Sequence, residues 1–515
     1  MTLETLCYLS GLEPPTEPGD GAVEITTVAC HSRACVPGCI YVCIPGMKVD
    51  GHAFIGEALA RGAAAVVTER NHPFSDGFVK QRGSAVFLSC DNTRAALAHL
   101  YHAWYGHPGN DLRLVAVSGT NGKTTVACML AAVLEKAGVR TGLIGTLGCF
   151  CNGKKLSIRA EDPSINMTTP DPEELYHILS LMVQEGVQTV IMEASSHALA
   201  LHKLEPLRFD AAVLTNFTQD HLDFHGSMQA YLDAKLHLLE LARFAVLNVD
   251  DPTFATCRIA APCPIVTAGI AQAADYTAQD VMLRGSAGVA FTLCEGTGER
   301  EAIHCPLPGA FSVSNALLCC ACARQLGVAP STLAKALRTF SGVPGRLERV
   351  DCGELLPFPV LIDYAHTPDA LEKLLLCVRG FMEPQQRLIL LFGCGGDRDA
   401  GKRPLMASVA ARYADVVYLS ADNSRSESTE TILEDIARGM PEGFPYRRIA
   451  DRAQAITHAV LHAKAGDIVL LTGKGHERYE INRTGWHPFD EREIVRAAAV
   501  QYTGADTPDA DAASR

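Results

Sequence analysis

The octapeptide Ser118-Gly119-Thr120-Asn121-Gly122-Lys123-Thr124-Thr125 has the residue types that hold a nucleoside triphosphate. Glycines let main-chain N–H groups close around phosphate oxygens, and a following helix adds the positive end of its dipole. Lys123 can reach the terminal phosphates and Thr124 can ligate magnesium, while Gly119, Thr120, Asn121, Gly122 and Thr125 complete a candidate ATP cradle. The general phosphate-loop pattern has a glycine five positions before Gly122, where this chain has Val117. That shortened motif counts against ordinary GTPases and motor ATPases. A tight turn with an incidental lysine is the bland alternative. The flanks oppose it, because residues 114–117 form a short apolar, β-branched run and an alanine- and leucine-rich segment follows as far as Gly138.

Other apolar runs end in polar groups in the same way. Residues 187–192 lead into Glu193-Ala194-Ser195-Ser196-His197, residues 211–214 into Thr215-Asn216-Phe217-Thr218-Gln219-Asp220-His221, and residues 244–247 into Asn248-Val249-Asp250-Asp251. Ligands of open α/β sheets bind at the carboxyl ends of strands, so these motifs are expected to converge on the loop. Glu193 and His221 suit Mg²⁺ beside a triphosphate, although each could equally be a solvated strand-end residue or a satisfied core group. A zinc hydrolase built on His221 and His225 is a second functional reading, which a phosphate loop does not suit.

Further along, residues 360–362 run into Asp363-Tyr364-Ala365-His366, residues 388–392 into Gly393-Cys394-Gly395-Gly396-Asp397-Arg398, residues 416–419 into Asp422-Asn423-Ser424-Arg425, and residues 468–471 into Gly473-Lys474-Gly475-His476-Glu477. Arg398 stands where a dinucleotide fingerprint has its last glycine, which argues against NAD. Near the start, His31-Ser32-Arg33 falls between two expected strands, where a hydroxyl and a guanidinium could hold a phosphate or a uracil edge.

Positioning these groups takes several cores. The chain has 515 residues, 48% hydrophobic and 20% charged, which describes a multidomain globular protein. We expect an α/β protein of three domains: an N-terminal α/β module over 1–108 with strands at 23–25, 39–44 and 63–67 and a helix at 53–61; a central phosphate-loop domain over 109–341; and a doubly wound, Rossmann-like domain over 342–502. Residues 503–515 are polar and Asp-rich and read as a disordered tail. The net charge is −13 without any basic run, so nucleic acid is not an expected partner. No apolar stretch reaches membrane-spanning length. The 19 cysteines are scattered through apolar segments, and Cys30, Cys35, Cys39 and Cys43 lack the spacing of a zinc knuckle. They are expected to be reduced, mostly buried thiols of a cytoplasmic protein.

Taken in order, GTNGKTT, EASSHAL, TNFTQDHLDFHG, LNVDDP, GRLE, DYAHTP, GCGGDRDAGKRPLM and TGKGHE resemble the Mur ligase family over nearly the whole chain, and HSR and DNSR resemble its MurE type. The resemblance implies an ATP- and Mg²⁺-dependent amide ligase that adds a diamino acid to UDP-MurNAc-L-Ala-D-Glu through an acyl phosphate. It implies that Lys235 carries a CO₂ adduct, a carbamate bridging to magnesium. It implies that Asn315, Arg346 and Asp363 hold the nucleotide, with His366 nearby, and that Ser32, Thr168, Thr169, Ser195 and Lys203 meet the UDP-sugar peptide. Arg398, Asp422, Asn423, Arg425, Gly473 and Glu477 would meet the amino acid. His31, Leu201 and Lys203 replace an aspartate, a glutamine and an arginine of the family pattern.

Ser424 replaces the proline of Asp-Asn-Pro-Arg, the form found in members that add meso-diaminopimelate. Two guanidiniums, Arg398 and Arg425, suit a diacid, so meso-diaminopimelate is favoured over L-lysine or L-ornithine. A folylpolyglutamate synthetase would share the loop but not the HSR module, and a nucleotide-gated binding protein would show no amine-dependent phosphate release. The expected state is a monomer whose domains close over the substrates.

Overall fold

The computed structural model describes residues 1–46, 49–70, 72, 85–156 and 167–502. The chain divides into two compact units, Met1–Thr277 with Leu318–Thr332, and Ala278–Leu317 with Leu333–Arg515. The expected tail lies outside the described residues.

The first unit holds two parallel sheets. The smaller has strands Thr27–Ala29, Cys39–Val42, Ala65–Glu69 and Val86–Cys90 in that order. The strand expected at 23–25 is not one. Its amides and carbonyls pair with the N-terminus (Leu3 N to Val23 O, Ile25 N to Met1 O), leaving a single bridge between Thr2 and Glu24. The helix expected at 53–61 opens as a 3₁₀ turn, Gly51–Phe54, and becomes α-helical over Ile55–Ala60. A helix at Leu3–Ser10, which the sequence reading omitted, is capped by the Thr2 hydroxyl and buries Leu3 and Leu6.

The larger sheet runs Ile265–Gly269, Ala245–Asn248, Ala211–Leu214, Arg113–Ser118, Thr189–Glu193, Thr141–Gly145, with antiparallel Gly148–Cys151 and Lys154–Lys155 beyond. The strand that feeds the phosphate loop is therefore central. Its register pairs Ser118 with Leu214 and Val117 with Glu193, so the polar segments leave the sheet at one level. Val115, Ala116 and Val117 are fully buried, as a strand covered on both faces requires.

Strand Tyr276–Leu283 leads the chain into the second unit, where Val289–Glu295 and Arg300–Cys305 form an antiparallel hairpin. That unit's main sheet runs Glu348–Arg349, Val360–Asp363, Ile468–Thr472, Leu388–Phe392, Val416–Leu419, Tyr446–Arg448, parallel except for its first pair. Asp363 lies opposite Thr472 and Phe392 opposite Leu419, so four motif-bearing strand ends are again level. None of the nineteen cysteines takes part in a disulfide, and ten of them are buried. Among the described residues, no helix is long and apolar enough to cross a membrane.

Candidate functional site

In the first unit the loop turns sharply from strand Arg113–Ser118 into helix Lys123–Lys136, whose N-cap Gly122 is left-handed and offers no side chain. The first-turn N–H groups of such a helix lack intrahelical acceptors and point at whatever lies before it. Gly119 has φ 141°, and a Cβ there would lie 1.9 Å from Thr215 Oγ1, so only glycine fits.

The segment after Leu214 clamps this loop from outside. The Asn121 N–H donates to Asn216 Oδ1 at 2.9 Å, Asn216 Nδ2 donates to Asn121 O at 3.0 Å, and the Thr120 hydroxyl donates to Thr218 O at 3.1 Å while accepting from Thr218 N–H at 3.0 Å. Thr215, Asn216 and Thr218 lie in motifs quoted from the sequence, but nothing in their types marked them as the loop's clamp. Thr125 lies in the first turn of the helix.

Two amines meet at one carbonyl. Lys123 Nζ donates to Gly119 O and Thr120 O, both at 2.9 Å, and Lys235 Nζ donates to the same Gly119 O at 2.9 Å. Lys235 is 1% exposed and lies over the Tyr231 ring, 4.6 Å from its centroid. Burial first, and the neighbouring Lys123 charge second, push its pKa down to about 6. The amine is therefore buried within the fold rather than on the exposed face of its helix.

Glu193 is 1% exposed at its strand end. Its Oε2 accepts from the Thr124 hydroxyl at 2.9 Å and the Thr146 hydroxyl at 3.2 Å, and its Oε1 accepts from Thr146 N–H at 2.9 Å. Thr168 shares a hydrogen bond with Thr146, and the Thr169 hydroxyl donates to Glu193 O at 2.8 Å and accepts from Ser195 N–H at 3.1 Å. Thr124, Glu193, Thr168, Thr169 and Ser195 thus form one continuous group. Thr146 belongs to it and was missed, because a lone threonine after an apolar strand carries no signal of its own.

His221 stands beside this group rather than within its hydrogen bonds. Its φ is 51°, its Nε2 lies 3.5 Å from Asp220, and its ring meets His197 edge-on at 4.7 Å. His225, the other half of the zinc alternative, shares a hydrogen bond with Ser196 at 3.0 Å. Ser32 is buried and donates to Glu57 at 2.8 Å, and Lys203, also buried, pairs with Asp171 at 2.7 Å.

The second unit gathers the remaining residues. Asp363 accepts N–H groups from Leu347 at 2.8 Å and Ala365 at 2.9 Å, and burial raises its pKa against the opposing Arg346 charge. Arg346 lies over the Tyr364 ring at 5.4 Å. Asn315 is buried in helix Ala310–Gln325. A Cβ on Gly475 would strike Tyr364, so the GKGHE loop packs directly on the DYAH loop.

Asn423 is the hub of the DNSR segment. Its Nδ2 donates to Glu477 at 2.8 Å, and its Oδ1 accepts from Lys474 Nζ and Ile481 N–H, each at 3.0 Å. Asp422 lies 3.8 Å from Lys474. Burial alone would raise its pKa, but Lys474 and then Arg452 hold it down. A Cβ on Gly473 would lie 2.8 Å from the Asp422 carboxylate. Arg425 is left-handed, φ 51°, and donates to Gly396 O at 2.8 Å. Arg425 and Arg398 flank Gly395, whose Cβ position is 2.9 Å from Arg425 Nη1 and 3.8 Å from Arg398 Cγ. Two arginine side chains therefore pass the same glycine, Arg425 with its guanidinium and Arg398 with its aliphatic stem. Lys474 and Arg452, both fully buried, were not singled out from the sequence.

A phosphate loop with paired amines at the centre of a parallel sheet, followed by a second parallel sheet whose strand ends carry acids and arginines, defines a phosphate-transferring α/β protein with a separate polar site. The family description "Mur ligase family, catalytic domain" matches residues 24–105, "Mur ligase middle domain" residues 117–323, and "Mur ligase, glutamate ligase domain" residues 345–475. The chain is 41% identical over 479 residues to a UDP-N-acetylmuramoyl-L-alanyl-D-glutamate–2,6-diaminopimelate ligase of Syntrophomonas wolfei, covering 92% of this chain and 94% of that one. It is 42% identical over 491 residues to the ligase of the same name from Geobacillus thermodenitrificans, covering 93% and 96%. A solved structure of a ligase of that name superposes with a TM-score of 0.67 at 30% identity, covering 97% of this chain and 99% of that one. The chain belongs to the Mur ligase family.

Proposed function

We infer that this protein is an ATP-dependent amide ligase that joins 2,6-diaminopimelate to the D-Glu of UDP-MurNAc-L-Ala-D-Glu, giving the UDP-linked tripeptide, ADP and phosphate. The observation that carries this reading is the pairing of Lys123 and the buried Lys235 on the Gly119 carbonyl, inside a chain more than 40% identical to ligases of that name.

In this reading the D-Glu side-chain carboxylate attacks the γ-phosphorus, the β–γ bond breaks with ADP as leaving group, and an acyl phosphate forms. The diaminopimelate amine then adds to the acyl carbon, loses its proton, and expels phosphate. Lys123 turns from the Gly119 and Thr120 carbonyls to the terminal phosphate oxygens, where its charge stabilises the transferring group. Thr124 and Glu193 supply hard oxygen ligands for Mg²⁺ with His221 beside them, and the ion when bound neutralises phosphate charge. Lys235, as the free amine, would add to CO₂ with release of one proton, and the resulting carbamate would be one of the groups holding the ion. Asn315, Arg346 and Asp363 serve the nucleotide, Ser32, Thr168, Thr169, Ser195 and Lys203 the UDP-sugar peptide. Arg398 and Arg425 face the distal carboxylate of the amino acid, with Asp422, Asn423, Gly473 and Glu477 around it. We place the enzyme in the cytoplasm, where ATP is available, as a monomer with three domains over 1–108, 109–341 and 342–502.

The test is phosphate release from Mg-ATP and UDP-MurNAc-L-Ala-D-Glu with meso-diaminopimelate, L-lysine and L-ornithine offered separately. Release that depends on diaminopimelate is expected. Release with lysine or ornithine alone would mean that Ser424 has moved Arg425 out of its role, and silence with all three would overturn the ligase reading.

A further inference from the structure

Among the described residues, two clusters of imidazole and carboxylate lie outside the groups described above, and they differ in what they leave to a ligand. In Asp50, His52 and His72, the His52 Nδ1 meets Asp50 at 2.7 Å while its Nε2 accepts the Glu69 N–H at 3.1 Å. Both ring nitrogens are committed, and that cluster is explained by its own hydrogen bonds.

The second cluster is not. Glu205 Oε2 lies 3.0 Å from His202 Nδ1 and 3.2 Å from His237 Nε2, and the three ligand atoms lie within 4.8 Å of one another. His237 Nδ1 is 3.0 Å from a second carboxylate, Glu240. A neutral imidazole carries one proton, so with carboxylates at both nitrogens one lone pair of His237 faces an anionic oxygen. A cation between Glu205 and His237 removes that repulsion: either a second ring proton or a metal ion. His202 is held at φ 54°, a conformation a non-glycine residue adopts only at a cost, in the turn that ends the Ser196–Ala200 helix. Arg208 donates to the carbonyls of Glu205 and Leu207.

We propose that His202, Glu205 and His237 bind one borderline transition-metal cation of the Zn²⁺ class. Two imidazoles, one carboxylate and a solvent-facing fourth position suit such an ion and not Mg²⁺, which takes oxygen ligands. Tetrahedral ligation at ordinary Zn–N and Zn–O lengths separates ligand atoms by roughly 3.3 Å, so the two distances to Glu205 need lengthen by only a few tenths of an ångström, while the two imidazole nitrogens, within 4.8 Å of each other, settle to the same spacing. Glu240 then accepts the His237 Nδ1–H, the outer carboxylate that orients a ligating histidine. The side chains are 34%, 28% and 25% exposed, which leaves an entry path. Binding fastens the turn after Ala200 to helix Met228–Glu240, which carries Lys235 two residues before His237. The site is independent of the ligase assignment.

The full-length, tag-free chain, stripped with chelator and kept reduced, is titrated with Co²⁺ and with Zn²⁺. One equivalent with visible d–d absorption and no thiolate-to-cobalt band in the near ultraviolet is expected, together with a rise of a few degrees in Tm under saturating Zn²⁺. Glu205→Gln and His237→Ala should each lose that equivalent or bind at least tenfold more weakly, while Glu205→Gln retains phosphate release with Mg-ATP. His202→Gln, at the most exposed of the three positions, provides a second route should His237→Ala fold poorly. Equal binding by wild type and variants, cobalt held only through thiolates, or no metal bound at all would overturn the proposal.

Discussion

At the scale of single residues, the unusual feature is a buried amine whose pKa is pushed down beside a second amine on the same carbonyl. Lys235 has one carbonyl for a partner and a pKa near 6, so it can add to CO₂, as an ammonium ion cannot. Lys235→Ala is expected to lose phosphate release by two to three orders of magnitude and to regain part of it with millimolar formate or acetate. Wild-type activity in that variant would remove the carbamate. Lys123→Met removes the charge expected at the terminal phosphates, and a loss on the order of a thousandfold in kcat should follow with the UDP-sugar KM little changed. Gly119→Ala tests the loop itself. The added methyl collides with Thr215 and adopts a φ that costs roughly 1–3 kcal/mol, so nucleotide-dependent stabilisation in a thermal melt should disappear.

At the scale of elements, the strand ends of the second unit are tied together by one side chain. Arg452 begins helix Arg452–Leu461 and is fully buried. It donates to Glu491 at 2.8 Å, to Ala421 O at 2.9 Å and to Thr472 O at 2.8 Å, the residues immediately before Asp422 and Gly473. It is a positioning residue for two motifs at once. Arg452→Lys keeps the charge beside Glu491 but cannot make three forked contacts. We expect the diaminopimelate KM to rise about tenfold while the ATP KM stays constant. A fall in Tm with unchanged KM would assign Arg452 to stability alone. Most strands of both main sheets were legible, because buried parallel strands are continuous apolar runs and their polar terminations mark where they stop. The segment 23–25 misled because Val-Glu-Ile alternates like a strand while its hydrogen bonds go to the N-terminus. Thr146, Lys474 and Arg452 were not legible: each acts through what it touches across the sheet, and register is a tertiary property.

At the scale of the whole molecule, the chain passes between its two units three times, so neither is a contiguous piece of sequence. The phosphate loop belongs to the first unit and the DNSR and GKGHE loops to the second. Stability is then a property of the full chain, and its response to acid depends on groups buried without charge. His102 is the clearest. It is 4% exposed, its Nε2 accepts the Gly109 N–H at 3.3 Å, and burial, followed by the neighbouring His107 and His99, pushes its pKa down to about 4 from an ordinary 6.5. The sign follows from linkage. Between those values the unfolded chain binds a proton that the folded chain refuses, so folding stability is complete above about pH 6.5 and declines as pH falls toward 4. The loss from this one group is on the order of 3 kcal/mol. His99 is shifted in the same direction by burial and adds to the slope. Gln in place of His102 keeps an acceptor for Gly109 but cannot be protonated. His102→Gln should therefore flatten the decline between pH 6.5 and 4 in the unfolding free energy measured with urea, while leaving its value at pH 8 within about 1 kcal/mol of wild type. An unchanged acid slope in that variant would place the acid sensitivity outside His102, in His99 and the carboxylates.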